Sequence, residues 1–219
     1  MDEVKDGRPT RPYRSPIREE NARRTRQAVV TAATRLFVER GYTGTALADV
    51  AAAAGVARPT VFAAFGSKAA LLRQVLDQAL AGDDEPVPVS QRSWYRPVWE
   101  GRTRAEVLDA YAEVCTLIGA RTAQVFETVR RAADGSPEVA EVWQTLLRNR
   151  RIGAQMVVER VCSLAGSLRQ GSDVEAAVDE VWFYNDPAHY GALVLERGWT
   201  EDAFRSWLGR TLRDALLPR

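Results

Sequence analysis

The sequence predicts an all-α protein, with a three-helix helix-turn-helix head at the N-terminal end followed by a larger helical domain. Three observations carry that expectation. Apolar residues recur at helical spacing through most of the chain, no stretch alternates with a period of two, and Ser, Thr or Asp followed by Pro or an acid stands at the front of successive periodic segments. The 219 residues are 46% hydrophobic and 27% charged, a composition that supports a buried core and excludes wholesale disorder. No run of about 18 apolar residues is present, so no membrane contact is expected.

The segments follow in order. Arg8, Arg11, Arg14 and Arg18 lie among Pro9, Pro12 and Pro16, which predicts a flexible basic arm over residues 1–20. This opening has no apolar stretch of the kind a secretory signal needs, and a cytoplasmic location is expected. Order is predicted from about Asn21. Val29, Ala33, Leu36 and Phe37 share one helix face that ends at Gly41, a residue suited to the left-handed turn past a helix end. Thr45 reads as the N-cap of a short helix carrying Leu47, Val50 and Ala51. Gly55 closes that helix, and a third one follows with Pro59 near its front. Residues 21–66 thus form the head. Residues 67–219 form the second domain, opening with a connecting helix over 67–81 capped by Ser67. Asp83, Asp84, Pro86, Pro88 and Pro97 break the pattern and predict a loop over 82–101. Beyond it, Ser136-Pro137-Glu138, Asp186-Pro187 and Thr200-Glu201-Asp202 each mark a helix start.

Charge sharpens the functional expectation. The net charge is +1, yet residues 1–80 carry +5 and residues 81–219 carry −4. A positive head built on a tight turn at Ala54-Gly55-Val56 is the arrangement that places a third helix in a DNA major groove. Arg58, at the front of that helix, is suited to a bidentate pair with guanine or to a phosphate. No catalytic residue, metal site or cofactor is expected. His189 is the single histidine, Cys115 and Cys162 are the two cysteines, and no P-loop, nucleophile elbow or dinucleotide fingerprint occurs.

Gly41-Tyr42-Thr43-Gly44-Thr45-Ala46-Leu47-Ala48-Asp49-Val50-Ala51, then Ala54-Gly55-Val56, Thr60, Phe65, Ser67, Lys68 and Leu71-Leu72, in that order and spacing, resemble the tetracycline-repressor (TetR) family. The likeness spans about residues 25–72. It implies a homodimeric repressor that binds a palindromic double-stranded DNA operator and is released by a small-molecule effector. It also implies phosphate contacts at Thr45, Thr60 and Lys68. Physical reasoning supports two of them, because Thr45 and Lys68 stand at expected helix starts, where free N–H groups favour an anion. The chain departs from the family where many members carry Tyr and His: Phe62 and Ala64 stand there, so Phe62 faces DNA without a hydroxyl. The recognition helix is left with few polar groups.

The resemblance further implies a ligand cavity in the middle helices, with Tyr111, Cys115, Phe126, Trp143 and Met156 as candidates to line it. The last helices are implied to form a dimer interface. The Trp182–Tyr184 run is apolar on several sides of one helix, as a helix packed on both its own subunit and a partner would be. Phe204, Trp207, Leu208, Thr211 and Leu212 would supply the companion helix, with Trp182 opposite. The alternative from another class is a helical small-molecule-binding or enzyme-like module whose DNA-binding head has weakened, which the bare recognition helix favours.

Overall fold

The computed structural model describes residues 16–218, and among them no strand occurs. α1 (Pro16–Arg40), α2 (Leu47–Ala53) and α3 (Arg58–Phe65) make the head, and α4 (Lys68–Ala81) leads out of it. The body is built from α5 (Arg96–Glu100), α6 (Arg104–Ala133), α7 (Pro137–Cys162), α8 (Val174–Tyr184), α9 (Pro187–Tyr190) and α10 (Glu201–Leu216). α9 passes directly into a π-helical stretch, Gly191–Glu196.

The first helix starts earlier than expected. α1 begins at Pro16, so residues 16–20 are helix rather than arm. Proline is tolerated at a helix front because its missing N–H would be unpaired there anyway. Glu19 favours the positive end of the dipole, and Glu20 accepts from Arg24 Nε at 2.9 Å one turn on. Arg18 lies on this helix, while Arg8, Arg11 and Arg14 of the expected arm lie outside the described residues.

The expected caps at Ser67, Ser136, Asp186 and Thr200 each accept a backbone N–H of their own helix, from Ala70, Val139, Ala188 and Ala203. Thr45 does not. The N-cap of α2 is Ala46, and the first turn is held from the other side, with Ala46 N–H donating to the Asp49 carboxylate at 3.0 Å. The turn between α2 and α3 passes through Gly55 at φ +68°, a conformation that side chains with a Cβ resist. The two helices then diverge by 110°, within the range of helix-turn-helix units. The expected loop over 82–101 is partly helical too: 3₁₀ turns at Val89–Gln91 and Ser93–Tyr95 lead into α5, with Pro97 in its first turn. Elements this short complete too few turns for a 3.6-residue period to register.

Two apolar cores organise the molecule. The first combines Leu36 and Phe37 of α1, Val50 of α2, Val61 of α3 and Leu71, Leu72 and Val75 of α4 with Val125, Phe126 and Val129 of α6 and Leu146 of α7. Head and body therefore share apolar packing, and α4 is embedded in it. The second core lies deeper in the body, where Leu108, Tyr111 and Ala112 of α6 meet Val157 and Val161 of α7, Val181 of α8 and Phe204, Leu208 and Leu212 of α10.

Candidate nucleic-acid interface and internal cavity

α3 presents an unequal surface. Val61 is fully buried and anchors the helix, while Arg58, Pro59, Thr60, Phe62 and Ala63 are exposed. At 100° per residue, Pro59 and Ala63 lie opposite Val61, Arg58 and Phe62 share one shoulder, and Thr60 takes the other. Arg58 has no hydrogen-bond or ion-pair partner among the described residues. Phe62 is 63% exposed, an unusual position for a phenyl ring unless a partner covers it. The helix is braced from behind: Arg26 of α1 donates to the Ala64 carbonyl at 2.8 Å and lies over the Phe65 ring.

Thr45 and Lys68 have other occupations than the ones expected. Thr45 is 0% exposed, with its hydroxyl 2.9 Å from the Gly41 carbonyl and 3.1 Å from that of Leu36. It locks the α1–α2 turn from inside and is not available to a phosphate. Lys68 Nζ donates to the carbonyls of Tyr42 and Thr45 at 2.9 and 3.1 Å and sits 4.1 Å from the centre of the Tyr42 ring. It thus clamps the same turn onto the start of α4. The sequence places both residues at helix starts and could not reveal that the turn folds back over them.

A cavity of about 790 Å³ opens beside α4, within the volume range of small-molecule sites. Gln74, Asp77 and Gln78 of α4 form one wall, the 83–90 segment another, and α6 and α7 the rest. Of the expected lining residues, Tyr111, Cys115 and Met156 are there, whereas Phe126 and Trp143 are not. Those two rings meet edge to face at 4.9 Å in the core shared with the head. That core is where α6 and α7 pack against the head, and the two rings fill it rather than the cavity.

The inner end of the cavity is a closed polar chain. Tyr111 hydroxyl accepts from Asn185 Nδ2 at 3.0 Å, with Cys115 one helical turn on lining the same cavity. The Asn185 carbonyl oxygen accepts from Arg150 Nε and Nη2, and Arg150 Nη1 pairs with Asp186 at 2.8 Å. Burial pushes the Cys115 thiol up to about 12 and raises Tyr111 well above its ordinary value, so both stay protonated at neutral pH. The 83–90 wall is shaped by Arg92, a side chain that periodicity did not single out. It is 6% exposed, donates to Asp83 at 2.6 Å, and satisfies the carbonyls of Glu85 and Val87. The next residue, Asp84, accepts two hydrogen bonds from Arg23 of α1, at 2.7 and 2.8 Å. One wall of the cavity is therefore tied directly to the head.

The expected dimer residues also divide. Phe204, Leu208 and Leu212 are at most 2% exposed and face the protein's own core, because the single apolar stripe of α10 is consumed there. They cannot meet a partner. Trp182, Trp207 and Thr211 are half-buried, and the Thr211 hydroxyl donates to the Trp207 carbonyl. Alongside them lies an aromatic group that the sequence reading did not assemble. His189 contacts the rings of Phe183, Tyr184 and Trp207, and Trp207 contacts Trp199. Phe183 is 57% and Trp199 38% exposed.

Comparison with known proteins agrees with this arrangement. Residues 29–75, which cover the head from mid-α1 into α4, match the family model described as bacterial regulatory proteins, tetR family. The head is thus similar to the DNA-binding module of TetR-family regulators. The transcriptional regulator ArpR of Pseudomonas putida is 29% identical to it over 175 residues, covering 76% of this chain and 79% of ArpR. The fold recurs in solved TetR-like structures. FadR from Bacillus subtilis, in complex with stearoyl-CoA, aligns with a TM-score of 0.66 at 18% identity, covering 85% of this chain and 96% of that one. A SmeT–triclosan complex aligns at 0.68 with 17% identity, covering 88% and 91%. The protein is a DNA-binding transcriptional regulator. Among the described residues, no single helix is long and apolar enough to cross a membrane.

Proposed function

We propose that this regulator is a cytoplasmic, ligand-responsive repressor that binds a palindromic operator as a homodimer. The observation that carries the reading is α4. Its first residue, Lys68, clamps the head, and Gln74, Asp77 and Gln78 further along it line the cavity. A small molecule that fits the cavity better in one α4 position than in another shifts the head by that difference in affinity. The triclosan and stearoyl-CoA carried by SmeT and FadR support a ligand in the corresponding domain of this chain. In this reading Arg58 and Thr60 hold the DNA, Phe62 packs against thymine methyl groups, and Lys68 supports the head from behind. The dimer forms through Phe183, Trp199 and Trp207, which places two recognition helices on successive major grooves about 34–36 Å apart.

Nuclease footprinting on DNA upstream of the protein's own gene, together with the mass of the complex, tests this. Protection of two symmetric half-sites by two chains is the expected result. A uniform pattern without half-sites, or a complex containing one chain, would contradict it.

A further inference from the structure

The proposed effector site carries an electrostatic signature that the function of the family does not dictate. Four carboxylates line the cavity, Asp77, Asp83, Asp84 and Glu85, against one cation, Arg150. Arg150 is not free to receive an anion: its side chain is 9% exposed, and its guanidinium is taken up by Asn185, the Trp182 carbonyl and Asp186. On the acidic wall, Asp84 is matched by Arg23. The single charge of Arg92 must serve both Asp83 at 2.6 Å and Glu85 at 3.9 Å. Asp77 has its nearest cation, Arg73, 3.8 Å away on an exposed helix face. The rest of the lining is apolar or aromatic, including Ile118, Leu146, Met156 and Tyr95.

We propose that the cavity takes a lipophilic organic cation, with its apolar groups against Ile118, Leu146 and Met156 and its charge toward Asp77 and Glu85. This rests on the reading of the cavity as an effector site and deepens it. An anion of the same size would enter a pocket whose four carboxylates share Arg23, Arg73 and Arg92 and which offers no free positive group, an unfavourable approach. A cation in the same place gains Asp77 and Glu85, whose own cations stand no closer than 3.8 Å and whose half-exposed side chains can reach it, with a gain that solvent partly screens. Partial burial raises the Asp77 carboxyl from its ordinary value, and Arg73 offsets this only in part.

Two probes of nearly equal shape and opposite charge test the sign, tetraphenylphosphonium and tetraphenylborate, titrated by calorimetry against the full chain. The expected result is at least about tenfold tighter binding of the phosphonium, with Asp77→Asn and Glu85→Gln each weakening it by about threefold or more. Gly153→Phe locates the site: Gly153 lines the cavity, and a Cβ built there meets nothing within 4 Å. That variant should lose the phosphonium while keeping its affinity for DNA. Equal or tighter binding of the borate overturns the proposal, as does binding of neither probe, or phosphonium binding that survives Gly153→Phe. The effector reading is judged separately, by adding saturating phosphonium to a protein–DNA complex. Binding without release of DNA would defeat that reading and leave the ligand class standing.

Discussion

Arg58 and Phe62 lie one helical turn apart on the exposed shoulder of α3, the pair that the proposed function sets against DNA. A guanidinium without an internal partner is available for a guanine edge or a phosphate, and one good bidentate base contact contributes about 1–3 kcal/mol of discrimination. Arg58→Ala is therefore expected to weaken operator binding about 10- to 100-fold, with unchanged melting temperature, measured by anisotropy titration beside a melting curve. An unaltered affinity would remove Arg58 from the interface. Cys115 supports a second prediction at this scale. Its thiol titrates near 12 in the folded protein, above its ordinary 9.0, so between those values the folded state holds a proton that the unfolded chain has lost. Stability falls as pH rises through that window, by up to about 1.4 kcal/mol per pH unit. Urea unfolding from pH 8 to 11 should show the loss in the wild type and a shallower one in Cys115→Ala; parallel curves would refute the assignment. Residue identity alone reveals Arg58, because a charged residue at the front of a bare helix has few other uses. It does not reveal Thr45 or Lys68, whose partners are carbonyls of a turn that closes only in three dimensions.

At the scale of elements, two of the connections between head and body also reach the cavity. One is α4, about 20 Å long at 1.5 Å per residue, packed into the core that both parts share. The other is the Arg23–Asp84 pair, which ties α1 to the cavity wall. An exposed pair of this kind adds little to stability, but it lies where movement of the wall meets the head. Arg23→Ala is expected to leave effector affinity within about twofold and to reduce the effector-induced loss of DNA affinity at least about threefold, as measured by titrating DNA with and without effector. Full responsiveness in the variant would assign the coupling to α4 alone. Long helices with caps were legible because Ser67, Ser136, Asp186 and Thr200 bind N–H groups two or three residues ahead of them. The 83–92 wall was not, since it is organised by buried Arg92 and its bonds to Asp83 and nearby carbonyls, which leave no period in the sequence. Phe126 and Trp143 lie on the expected helices, but pack on each other in the core shared with the head, a choice of neighbour that spacing does not encode.

For the whole molecule, the division of charge seen in the sequence corresponds to the division of labour proposed above, with a positive head for DNA and a body for the ligand and the partner. The aromatic face formed by Phe183, Trp199 and Trp207 is the surface expected to close the dimer, and Phe183→Asp should yield a monomer in sedimentation experiments and loosen operator binding. A Phe183→Asp dimer would place the interface elsewhere. The central claim, sequence-specific recognition of an operator, is tested most directly by fluorescence anisotropy on DNA from upstream of the protein's own gene against scrambled DNA, across a salt series. The account predicts a preference of about 10³-fold or more and a steep loss of affinity with salt, as phosphate contacts release counterions. Equal, weak binding to both DNAs would contradict it.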